Sequence, residues 1–124
     1  MSIDFKKRNP IYVQIAEHIH EKILLSVYEE EAKIPSIREQ AVVFEVNPNT
    51  VQRSYELLQQ QEVIFTKRGL GYFVASNAKE RIFALRKDQF LKSQLPEVFK
   101  QLLLLGIDSE TFQKHFEAYK KTLK

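Results

Sequence analysis

The stretch VNPNTVQRSYELL, residues 46–58, decides the fold. Asn47 is a helix N-cap residue. Pro48 after it suits the first helical position, where the missing amide hydrogen would have had no partner in any case. Val46 before the cap and Val51 beyond it are placed as a hydrophobic staple. From there the two faces differ. Val51, Tyr55 and Leu58 recur at i, i+4, i+7 on one side, and Asn49, Gln52, Arg53 and Glu56 occupy the other. A helix over about residues 48–61 is expected to be held by one face and to offer a rigid polar face outward.

Working toward the N-terminus, SIRE at 36–39 is a capping box, with Ile37, Ala41 and Phe44 marking the buried face of a short second helix. Only Phe44, Glu45 and Val46 separate it from the third. Asn9 and Pro10 form another cap pair. Tyr12, Ile15, Ala16, Ile19 and Ile23 then follow at helical spacing, so a first helix is expected over about residues 10–26. Residues 28–35, YEEEAKIP, read as a polar connector. Downstream, VIFTK (63–67) and GYFVA (71–75) are rich in β-branched and aromatic residues and flank RGLG, which predicts a β-hairpin with a glycine-supported tip. Helical pattern resumes at Asn77 and Glu80, with breaks expected at QLP (94–96) and LGID (105–108). The order is helix, helix, helix, hairpin, helical tail. That predicts a mainly α fold with a small β-hairpin, a winged helix-turn-helix over residues 1–76 and a short helical tail over 77–124.

A helix that enters the DNA major groove reads base edges with side chains near its N-terminus, so that end must be stiff and correctly aimed. Asn49 and Gln52 carry the amide geometry suited to adenine. Arg53 suits a guanine edge or a phosphate, and Arg38 projects toward the same groove edge. Lys67 and Arg68, beside the flexible Gly69-Leu70-Gly71 tip, suit the backbone or the minor groove over about 67–72.

The segment from IPSIREQAVVFEVNPNTVQRSYELLQQQEVI through KRGLGYFVA closely resembles the GntR family of bacterial winged-helix transcription regulators. NPNTVQRSY and the short tail are similar to its YtrA subfamily. The resemblance implies a repressor that binds an inverted-repeat operator as a homodimer. It implies DNA contacts from Arg38, Asn49, Thr50, Gln52 and Arg53, with Ser36 at the second helix's cap counted among them and Gly69, Gly71 and Tyr72 shaping the wing. The family usually has glycine where this chain has Glu45 and Glu62, and glycines where it has Glu29, Glu30 and Glu31. A non-glycine residue in a left-handed cap costs on the order of 1 kcal/mol.

Composition narrows the field. A hydrophobic content of 44%, with nine Phe and five Tyr, supplies a packed core, and the absence of Cys removes disulfides and thiolate metal sites. The longest apolar run, residues 102–105, is far too short for a membrane span, so a cytoplasmic protein is expected. The net charge of +3 is divided as −1 over residues 1–76 and +4 over 77–124, so bulk charge does not argue for nucleic acid and individual cations must. His18 and His20 point some 200° apart on a helix and cannot share a metal. No nucleophile–base pattern, phosphate-cradling loop or cofactor motif appears, and no enzyme is expected.

The tail is too short to enclose a metabolite pocket alone. Yet Val98, Phe99, Leu102, Leu103, Leu104, Leu105 and Ile107 spread apolar surface over more than one face, and Phe112, Phe116, Tyr119 and Leu123 form a second stripe. A homodimer interface through Val98, Phe99, Leu102, Leu103, Leu105, Phe112 and Phe116 is expected; the alternative is packing on the chain's own first helix. The competing function is a winged-helix protein-interaction module without sequence-specific DNA binding.

Overall fold

The computed structural model describes residues 9–123; the opening segment counted with the first domain lies outside them. Helices α1 (Ile11–Leu24), α2 (Ile37–Phe44) and α3 (Pro48–Gln60) precede a hairpin of β1 (Ile64–Lys67) and β2 (Gly71–Val74). After it come α4 (Ala78–Gln89), a π-helical turn (Phe90–Gln94), α5 (Leu95–Leu104) and α6 (Ser109–Lys120). The winged helix-turn-helix with a helical tail is therefore the observed fold.

Two of the cap predictions hold in detail. Ser36 accepts the Glu39 amide while Glu39 Oε1 accepts the Ser36 amide, completing the box. Asn47 accepts the Asn49 amide at 2.8 Å, with Pro48 opening α3. The third does not hold. Pro10, not Asn9, flanks α1 and no side chain caps it; instead Gln14 reaches back to the Asn9 carbonyl at 3.0 Å.

The first three helices end alike. The Ser26, Glu45 and Glu62 amides donate to the carbonyls of Ile23, Val42 and Gln59, and the following residues, Val27, Val46 and Val63, donate to Lys22, Ala41 and Leu58. These are Schellman ends, which need a left-handed residue, and φ is 61°, 55° and 59° at Ser26, Glu45 and Glu62. The two glutamates that replace the usual glycines thus adopt the glycine-like conformation. Glu31 in the connector does the same, at φ 69°.

Ile15, Ile19 and Ile23 of α1, Ala41 and Phe44 of α2, and Val51, Tyr55 and Leu58 of α3 form one core with Ile34, Ile64 and Val74. The hairpin is antiparallel, with Phe65 opposite Phe73 and Lys67 opposite Gly71. It is not alone. The connector lies along the free edge of β2. The Glu31 amide donates to Val74, Val74 to Ala32 and Ile34 to Tyr72, with Lys33 bridging to Phe73. The three glutamates concealed this edge in the sequence.

Contacts divide the chain into one compact unit up to Leu85 and another from Arg86. The reason is that Ala78 and Ile82 are fully buried in the first unit's core, so the start of α4 belongs there. Helical hydrogen bonding also continues through the break expected at QLP. The Leu95 amide donates to Phe90, five residues back, and this π turn brings the chain to Pro96 in the first turn of α5, where no donor is needed. The second break is real. Gly106, at φ 68°, closes α5, and Asp108 caps α6 by accepting the Thr111 amide at 2.8 Å. Among the described residues no helix is long and apolar enough to cross a membrane, and no cluster of His, Cys, Asp or Glu could hold a metal ion.

Candidate nucleic-acid interface

The outer face of α3 is built by what anchors its inner face. Val51, Ser54, Tyr55 and Leu58 are buried, which turns Asn49, Gln52, Arg53 and Glu56 to solvent. Two hydrogen bonds fix the helix rotationally. The Ser54 hydroxyl donates to the Tyr12 carbonyl of α1 at 2.7 Å, and the Tyr55 hydroxyl donates to the Pro35 carbonyl just before α2. Burial pushes the Tyr55 phenol well above its ordinary pKa of 10, so it remains a donor throughout the neutral range.

Of the expected readers, Asn49 is free-facing in the first turn of α3, and Gln52 extends along the helix toward Glu56 (3.4 Å). Thr50 is half-buried, its amide donating to the Asn47 carbonyl, and it offers less surface than Asn49 or Gln52. Arg53 is exposed but not loose: its guanidinium lies 4.0 Å from the centre of the Tyr12 ring. Ser36 and Arg38 are exposed at the start of α2. The Ser36 amide holds the Glu39 carboxyl below its usual range, so this helix start carries a negative charge among the cations.

At the wing, Lys67 Nζ sits 4.5 Å from the Phe73 ring centre, while Arg68 and Gly69 form the exposed tip. Gly69 and Gly71 both have positive φ, 76° and 114°. A Cβ on Gly71 would come within 3.1 Å of Lys33 Cε, so the Lys33 side chain lies against the wing beside its tip. Tyr72 is half-buried, its ring edge-on to Tyr55 at 4.8 Å, which ties the wing to α3.

Three participants escaped the sequence reading. Tyr12 follows the spacing of core residues yet stands half-exposed beneath Arg53; Ser54 reads as an ordinary small residue; Lys33 is hidden in the connector. Only the chain's return along β2 brings Lys33 against Gly71 and Phe73 of the wing.

In the second unit no described residue is buried. Leu103 and Leu105 are 82% and 69% exposed, Val98, Phe99 and Phe116 are also exposed, and Leu102 and Phe112 are half-buried. Phe112 and Phe116 pair at 6.3 Å between rings. The sequence reading missed Phe90 and Leu91, although Phe83, Phe90 and Leu91 recur at i, i+7, i+8 and all are exposed.

Residues 11–74 match the family of bacterial regulatory proteins named gntR. The chain is 33% identical to the HTH-type transcriptional repressor YtrA of Bacillus subtilis over 110 residues, 89% of this chain and 84% of YtrA. A transcriptional regulator of the GntR family from Bacteroides thetaiotaomicron has a similar structure (TM-score 0.82), with 52% identity, 91% of this chain and 98% of that one covered. The AraR DNA-binding domain in complex with operator ORX1 also superposes (TM-score 0.53), with 26% identity over 60% of this chain and 99% of that one. The chain therefore belongs to the GntR family, as a transcriptional regulator with a winged-helix DNA-binding domain and not an enzyme.

Proposed function

We propose that this chain is a cytoplasmic repressor that binds an inverted-repeat operator as a homodimer. In this reading α3 lies in the major groove, with Asn49, Gln52 and Arg53 at base edges. Ser36, Arg38 and Thr50 flank it, and Lys67, Arg68 and the Gly69–Gly71 tip follow the backbone into the minor groove. The observation that carries it is the anchoring of α3. Its buried face is pinned by Ser54 and Tyr55 while a run of amide and guanidinium groups remains outward. Likeness to a named repressor and to an operator-bound domain supports the same reading.

The helical tail supplies the twofold pairing. A unit in which no described residue is buried, and in which several leucines and phenylalanines are exposed, has not covered its apolar surface within itself. Pairing two tails covers it, and places two α3 helices ~34 Å apart on successive major grooves.

Selection of binding sites from random duplexes tests the reading. A palindromic consensus bound by a dimer, with affinity falling steeply in salt, is expected. Binding indifferent to sequence, or a stable monomer by sedimentation at micromolar concentration, rejects it.

A further inference from the structure

We infer that Tyr12 of α1 is the positioning residue for Arg53, setting the angle at which its guanidinium leaves α3. This rests on the operator-reading function proposed above and adds a residue outside the helix-turn-helix to the determinants of sequence choice.

Two independent contacts join Tyr12 to α3. Its backbone carbonyl takes the buried Ser54 hydroxyl at 2.7 Å, and its ring lies 4.0 Å beneath the Arg53 guanidinium carbon. Ser54 follows Arg53 directly, so the first contact fixes the height of the Tyr12 ring against the same turn of α3 from which Arg53 departs. An unrestrained arginine samples many rotamers, and holding it in one for a base edge or phosphate is entropically costly. A planar guanidinium stacked on an aromatic face keeps its in-plane N–H groups free at the rim, so stacking restricts the side chain without consuming its donors. Tyr12 is half-exposed although its spacing matches Ile15 and Ile19, both fully buried. Its ring thus serves the surface beside α3 as well as the core.

The test uses the full chain, a duplex recovered by selection with the wild-type protein, and a mixed-sequence duplex as control. Tyr12→Phe keeps the stacking face and is expected to bind the selected duplex as wild type does. Tyr12→Leu keeps apolar bulk but loses the face. It is expected to weaken the selected duplex roughly 2- to 5-fold per half-site, or about 4- to 25-fold for a dimer, with binding to the mixed duplex little changed. With Ala at position 53, Tyr12→Leu is expected to have no further effect. Circular dichroism and thermal melting of both variants separate this from a folding defect. Unchanged or tighter selected-site binding by Tyr12→Leu overturns the inference, as does an equal loss with Ala at 53. A wild-type protein that enriches no sequence overturns the operator-reading function and this inference with it, whereas failure of the double-mutant cycle alone leaves that function standing.

Discussion

The hydroxyl of Tyr55, fully buried on α3, donates to the carbonyl of Pro35, the residue before the α2 cap. One side chain thereby ties α3 to the start of α2. Tyr55→Phe is expected to cost about 1 kcal/mol, read as a lower melting temperature, with the fold retained.

The same phenol predicts an alkaline dependence. Burial raises its folded pKa above the ordinary 10, so the folded state holds this proton after the unfolded chain has released it. The stabilisation is complete below pH 10 and is lost as pH rises above it, at about 1.4 kcal/mol per pH unit for one proton. Denaturant titrations from pH 8 to pH 11 check this, and Tyr55→Phe should flatten that portion of the slope.

Glycine at position 45 should stabilise the protein. Glu45 holds φ 55° at the end of α2, a conformation that costs a residue with a Cβ about 1 kcal/mol. Glu45→Gly is expected to raise the melting temperature by about 4–8 °C. Glu62→Gly should gain less, because Glu62 also pairs with Arg81 at 3.0 Å, a partly exposed bridge worth at most about 1 kcal/mol. Equal gains at both sites would remove the Arg81 contribution.

Gly71→Ala should do the opposite. At φ 114° and with Lys33 Cε 3.1 Å from the new methyl, the substitution strains the backbone and displaces the lysine. A loss of about 1–3 kcal/mol is expected by thermal melting. Lys33→Ala in the same background should recover only the small part owed to crowding.

For the tail pairing proposed above, Phe99→Asp places a charge on an exposed apolar face of α5. Sedimentation should show a monomer, and affinity for a selected operator should fall by roughly 10²- to 10⁴-fold as the two half-sites lose their linkage. Arg53→Ala and Gln52→Ala should instead leave the dimer intact and abolish sequence preference. Selectivity unchanged in both would remove them as readers.

What was legible in the sequence was what local chemistry enforces. The Ser36–Glu39 box and the Asn47–Pro48 start depend on residues within one turn, and the α3 periodicity fixes which side is buried whatever lies opposite. The dependence on distant chain was not legible. Tyr12 has core spacing but stands under Arg53 because α3 crosses α1 there. Lys33 sits in an acidic connector that becomes the edge partner of β2. Pro96 reads as a break, yet the Leu95 amide reaches back to Phe90 in a π turn that carries the chain helically up to the proline, a device with no compositional signal.

The pairing of the connector with β2 has a mechanical consequence. Lys33 is bridged to Phe73, the Ile34 amide donates to Tyr72, the Pro35 carbonyl takes the Tyr55 hydroxyl and Ser36 caps α2, so no residue between the hairpin and the helix is slack. An extended residue spans at most about 3.6 Å, so the interval between the hairpin and the helix pair is gauged by covalent length. A single residue added after Lys33 would therefore shift the hairpin against α2 and α3.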